Sequence, residues 1–133
     1  MSTSEPAFLS ILSHSLPDLI AVYQFGSTVG NKEHAESDLD LAILGPRPLD
    51  NLDRWTLQEE LAARIGRNVD LVDLRSASTV MQMQVLSRGT LLGERDRTAR
   101  QRFEMNVYSA YALLNEERGG ILKDVQARGR IYG

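Results

Sequence analysis

The chain contains no cysteine. That excludes a disulfide scaffold and thiolate-ligated zinc, and it fits a reducing compartment. It has no apolar run near the roughly 18 residues a membrane span requires, so no membrane association is expected. It has no Gly-x-x-x-x-Gly-Lys segment, which excludes a P-loop ATPase. There are no internal repeats and no low-complexity tract. Neither sign of charge dominates: 15 basic and 18 acidic residues leave a net charge of −3. A broad nucleic-acid surface is normally basic, so direct nucleic-acid binding is not expected. A small nucleotide stays open, because a metal can neutralise acids locally. The start, "MSTSEPAFLS", lacks a basic stretch followed by a long apolar one. No signal peptide is read there, and a cytoplasmic location is expected.

What is present is ordinary globular material, with 42% hydrophobic and 25% charged residues. A chain of 133 residues suits one domain over 1–133, with a catalytic core to about residue 95 and a helical region over 96–133. "SEPAFLSILSH" reads as a first helix, with Ser4 as its cap and Pro17 beyond its end. "LIAVYQF" is a β-prone run that stops at Gly26-Ser27, and "SDLDLAIL" is a second strand closed by Gly45. "DNLDRWTLQEELAARIG" is a helix: Asp50 or Asn51 caps it, Leu57, Leu61 and Ile65 form its stripe, and Gly66 stops it. "NVDLVDL" is a third strand. "STVMQMQVLSRG" is a helix capped by Ser78, and "TLLGE" is a short last strand. From Arg97 the pattern is helical, with Phe103, Val107, Tyr111, Leu114, Ile121 and Val125 near one face. Gly119-Gly120 predicts a kink, a break or two helices there. The expected fold is α/β (α+β), a small mixed sheet of about four strands packed with helices.

The stretch "QFGSTVGNKEHAESDLDLAIL" carries the chemistry. In a strand, side chains alternate between faces, so Asp38 and Asp40 share one face while Leu39 and Leu41 turn to the core. Two carboxylates so placed stand roughly 7 Å apart at the backbone and can converge on one hard cation. Oxygen ligands of this kind suit Mg²⁺ or Mn²⁺. Gly26 after a strand lets the backbone approach a ligand closely, and Ser27 adds a hydroxyl donor, so the pair suits a phosphate. Phosphoryl transfer usually needs a further acid to activate the attacking hydroxyl. "NVDLVDL" offers Asp70 and Asp73, three apart and so on opposite faces. Asp70, flanked by Val69 and Leu71, is preferred; Asp73 is the reserve, or the cap of the following turn. A lone Asp-x-Asp also describes a solvated strand face. The combination of Gly-Ser, ten residues, Asp-x-Asp and a later acid is what points to a catalytic site.

Other residues receive bland readings. His14 sits at a predicted helix end, where a cation suits the dipole. His34 lies in the loop before Asp38. Trp55, Met81 and Met83 are read as packing. Lys32, Arg47, Arg67 and Arg88 can each touch a triphosphate, and the sequence does not choose among them.

These segments resemble the DNA polymerase beta-type nucleotidyltransferase superfamily. "FGS", ten residues, "DLD", and the later acid in "VDLVD" match its signature. With "LDNLDRW" and "VDLVDLRSASTV", nearly the whole chain is similar to the minimal branch, the MntA antitoxins of HEPN–MNT toxin–antitoxin pairs. The resemblance implies a nucleotidyltransferase fold and a protein adenylyltransferase. It would move AMP from ATP to a tyrosine of a partner HEPN toxin, an RNase, and so neutralise it. Gly26 and Ser27 then match the phosphate-binding pair, Asp38 and Asp40 the metal ligands, and Asp70 the third acid, a metal ligand and proton acceptor. In one place the chain departs from the pattern: Asn31 stands where the family often has glycine, and Gly30 comes one residue earlier. A shifted turn is expected there. Two other readings stay open: an antitoxin that inhibits by contact alone, and a small-molecule nucleotidyltransferase of the aminoglycoside-modifying kind. The C-terminal helix, with Tyr108 and Tyr111, is either a docking surface or a cover for the sheet.

Overall fold

The computed structural model of the chain describes residues 7–26 and 38–132, with side chains to residue 119. The elements follow in the expected order: α1 (Ala7–Ser15), β1 (Ala21–Phe25), β2 (Leu39–Leu44), α2 (Asn51–Ile65), β3 (Val69–Asp73), α3 (Thr79–Arg88), β4 (Thr90–Glu94) and α4 (Arg97–Tyr132). Local chemistry sets most of the boundaries. Asp50 caps α2 by accepting from the Leu52 N–H, and Gly66, at φ 70°, ends it in the left-handed conformation. Ser78 caps α3 by accepting from the Met81 N–H at 3.1 Å. His14 does lie in the last turn of α1.

The four strands form one mixed sheet in the order β3-β2-β1-β4. β1 runs antiparallel to β2 and to β4. β2 runs parallel to β3, with α2 as the crossover. Helices cover both faces. On one side Leu39, Leu41 and Ile43 of β2 pack with Leu12 of α1 and Leu57 and Leu61 of α2. On the other, Ala42 and Leu44 pack with Val85 of α3 and Phe103 and Val107 of α4. β2 is therefore buried on both faces apart from one half-buried position, Asp40. A polar lock ties α4 to the sheet. The Tyr23 hydroxyl donates to Glu104 at 2.8 Å, and Arg100 bridges Glu104 at 2.9 Å and Glu94 at 2.7 Å. Burial and then the Glu104 carboxylate hold the Tyr23 phenol well above its ordinary range, so it stays protonated.

Two expectations change. α4 neither ends nor restarts at Gly119-Gly120 but runs as one 36-residue helix. Each glycine costs about 1 kcal/mol in a helix interior. The good helix formers on both sides outweigh that. Trp55 is not core: it is 51% exposed. It stands two positions from Leu57, about 200° around the helix from the buried stripe. Met81 and Met83 do pack against the α3–α4 side of the core. Among the described residues no helix is long and apolar enough to cross a membrane.

Candidate active site

β2 is the strand on which the site is built, and Asp40 is its centre. In the antiparallel ladder Asp40 is opposite Phe25, the last residue of β1. In the parallel ladder it is opposite Asp70 of β3. Adjacent strands lie about 4.8 Å apart. One end of the sheet thus collects Gly26, which follows Phe25, together with Asp40 and Asp70. Asp38 stands at the same end, but outside the strand: β2 begins at Leu39, and Asp38 is exposed just before it. Strand alternation therefore does not fix its direction as the sequence suggested. Leu39 and Leu41 face the core as expected.

Gly26 has φ +92°, a conformation that side chains rarely adopt. A Cβ added there would fall 2.0 Å from Asp40 Oδ2. The Asp40 carboxylate occupies the space a side chain would need, so the turn and the acid are mutually fitted. Ser27 lies outside the described residues, as do Gly30, Asn31, Lys32 and His34.

The electrostatics tell the same story. Burial, then the charge of Asp70, then that of Asp38 all raise the pKa of Asp40 above its ordinary value of 3.8. The folded state therefore holds the Asp40 proton more tightly than the unfolded chain. The sign follows: stability is lost as pH rises from the ordinary value through the raised one. Without a cation, Asp40→Asn should raise Tm by a few degrees at pH 7. The gain should shrink as pH falls towards 3.8. Thermal unfolding across pH measures this.

Asp70 and Asp73 part as β3 demands. Asp70 is exposed at the site, whereas Asp73 is buried. Asp73 accepts from the Leu49 N–H at 2.7 Å, the Arg75 N–H at 3.1 Å and the Ser76 hydroxyl at 3.0 Å. It caps the turn after β3, the alternative foreseen for it. Asp73→Ala should cost about 2–4 kcal/mol of stability by orphaning those donors. Asp70→Ala should stay within about 0.5 kcal/mol. Urea unfolding of the two variants separates the roles.

Of the candidate cations, Arg88 ends α3 beside Gly89, whose own backbone approaches Gln24 of β1, so it lies at the same end as the acids. Arg67 precedes β3 and also lies at this end. Arg47 lines a cavity of about 260 Å³ at the other end of β2, with Leu16, Ile43, Gly45 and Asp73, away from the acids. Sequence reasoning missed Arg54 and Gln58, which bond to the β3 backbone beside Asp70. Their only signal was a polar pair at i, i+4 beside the apolar stripe of α2.

As a metal site the donors are hard oxygens. Among the described residues no group of three or more acids or histidines is gathered closely enough to hold a metal ion together. Carboxylate oxygens are the donors that Mg²⁺ takes, with water and substrate phosphate completing its shell. The raised Asp40 is the group that a nearby positive charge would relieve.

The family described as Polymerase beta, Nucleotidyltransferase matches residues 9–98. Over 124 residues the chain is 39% identical to the protein adenylyltransferase MntA of Shewanella oneidensis, covering 93% of this chain and 88% of that protein. The chain belongs to the MntA-type nucleotidyltransferases of the polymerase beta family. Among solved structures, this nucleotidyltransferase is similar to a chain of a toxin–antitoxin complex with AMP-PNP. The TM-score there is 0.80 at 38% identity, over 93% of this chain and 99% of that one. It is also similar to a chain of the complex of a tri-AMPylated Shewanella oneidensis HEPN toxin with MNT antitoxin. Here the TM-score is 0.74 at 38% identity, over 90% and 92% of the two chains. The resemblance drawn from the sequence and the mixed four-stranded fold are both borne out.

Proposed function

We propose that this MntA-type nucleotidyltransferase transfers AMP from ATP to a tyrosine of a HEPN-family toxin and so acts as its antitoxin. The observation that carries the proposal is the register of Asp40, set between the Phe25–Gly26 turn on one side and Asp70 on the other. The similarity to a complex with AMP-PNP and to a complex with an AMPylated HEPN toxin supports the nucleotide and the partner.

In the proposed mechanism Gly26 and Ser27 receive the phosphates of ATP. Asp38 and Asp40 hold a divalent cation, Mg²⁺ or Mn²⁺, with Asp70 as a further ligand. When bound, that cation neutralises charge on the phosphates and lowers the barrier to in-line displacement. Asp70, open to solvent, accepts the proton of the tyrosine hydroxyl. The phenolic oxygen bonds to the α-phosphorus. The bond from that phosphorus to the bridging oxygen breaks, and pyrophosphate leaves with the electron pair. The modified tyrosine keeps AMP as a phosphodiester.

Label placed at the α-phosphate of ATP should enter the HEPN partner, and label at the γ-phosphate should not. Entry of γ-label would mean a kinase and overturn the reading. The cation has its own readout: Mg²⁺ should raise the Tm of the wild type and leave that of Asp40→Asn unchanged. Equal shifts would place the ion elsewhere.

One observation favours neutralisation by contact. α4 exposes Met105 (68%), Tyr108 (44%) and Leu113 (57%) on its outer side. Inhibition that survives in the absence of ATP would select that reading.

A further inference from the structure

We propose that Arg54 and Gln58 are positioning residues for the third acid: they clamp the free edge of β3 and keep Asp70 in register with Asp40. The inference rests on the reading of Asp70 as proton acceptor.

β3 is five residues long and stands at the edge of the sheet, paired among the described residues only with β2. A short edge strand has unmatched backbone groups on its outer side. A one-residue slip moves every side chain to the opposite face. For Asp70 such a slip would be total, since its side chain would leave the face that Asp40 shares.

The outer edge is matched by side chains at Leu71, the residue after Asp70. The Leu71 N–H donates to Gln58 Oε1 at 2.9 Å, and Arg54 Nη1 donates to the Leu71 carbonyl at 3.0 Å. The two side chains supply one acceptor and one donor, the pair a neighbouring strand would supply. The clamp is also braced within itself. Arg54 Nη1 donates to Gln58 Oε1 at 3.1 Å, and Arg54 Nε donates to Asn51 Oδ1 at 3.2 Å. Both side chains are half-buried, and α2 is anchored by Leu57 and Leu61 in the core. A backbone held at Leu71 leaves Asp70 little freedom. Arg54 and Asp70 also line the same open depression of about 400 Å³ between α2 and β3. The clamp thus reaches the edge of β3 from the α2 face, while Asp70 points to the opposite face with Asp40.

A purely stabilising pair would act through the amount of folded protein. A positioning pair acts on turnover in protein that is fully folded. The test compares Gln58→Leu, Gln58→Glu and Asp70→Asn in AMP transfer to the HEPN partner. Rates are taken at a temperature where circular dichroism shows every variant folded. Gln58→Leu should lower kcat about tenfold, the scale of a small misplacement of a reacting group. The KM for ATP should hold, because Gly26, Asp38 and Asp40 are untouched. Gln58→Glu should return kcat to within about twofold of wild type, since a carboxylate accepts from both the Leu71 N–H and Arg54. Wild-type kcat in Gln58→Leu, with Asp70→Asn inactive, would overturn the clamp and leave Asp70 standing. A Gln58→Glu as slow as Gln58→Leu would also overturn it. A wild-type rate in Asp70→Asn would overturn the reading of Asp70 and the clamp with it.

Discussion

Asp40→Asn should reduce AMP transfer on the order of a thousandfold or more, since several kcal/mol of transition-state charge stabilisation pass through this position. The side chain changes by one atom type and keeps its shape. What it loses is the charge of the group with a carboxylate on either side. Its pKa is raised by burial first, then by Asp70 and Asp38. A carboxylate that is expensive to ionise, in a place a hydroxyl or an amide could fill, is retained for something that needs the charge. The same substitution should therefore stabilise the cation-free fold while ending turnover. Loss of activity and gain of Tm in one variant is a pairing that damage to folding cannot produce. Asp38→Asn should follow in activity. Its stability effect should be smaller, because Asp38 is exposed and stands outside the ladder.

Gly26→Ala should cost about a hundredfold in transfer, the scale of a displaced reacting group. The added methyl would fall 2.0 Å from Asp40 Oδ2 and 2.8 Å from its Cγ. Carbon and oxygen cannot share that space, so either the turn or the carboxylate must move. The φ of +92° adds a cost of about 1–2 kcal/mol for any side chain. Steady-state rates together with urea unfolding separate the two effects. A variant that is folded, less stable and slow fits the account. One that keeps wild-type turnover would show that Gly26 and Asp40 are not fitted to each other in the working enzyme.

Much of this was legible in the sequence because local chemistry wrote it. The caps at Asp50 and Ser78 and the stop at Gly66 depend on residues within one turn, and they stand where the residue types place them. The span "TLLGE" coincides with β4. Long-range geometry was less legible. The sequence could place Asp40 on a strand. It could not show that Phe25–Gly26 and Asp70 would flank it, because strand order follows from packing on both faces of the sheet. Asp38 was read as part of the strand because "SDLDLAIL" alternates cleanly; pairing begins one residue later, at Leu39. Trp55 misled by its type alone: its size suggests a core, and its position on α2 puts it in solvent. Of the kink, break or two helices read at Gly119-Gly120, the break and the second helix are overturned, because two glycines weaken a helix without ending it. Asp70 and Asp73 could be told apart in principle by strand parity, and the structure adds the reason: three donors wait for Asp73. The Arg54–Gln58 pair carried no chemical signature and emerges only where α2 meets the edge of β3.

The central claim is that this site moves AMP onto a HEPN partner. The most direct test incubates the purified protein with that partner, ATP and Mg²⁺ and weighs the intact partner by mass spectrometry, beside the Asp38→Ala/Asp40→Ala variant. The account predicts a gain of one or more AMP units on a tyrosine, absent with the variant. An unchanged partner mass in a tight and inhibited complex would contradict it, and would make neutralisation a matter of contact.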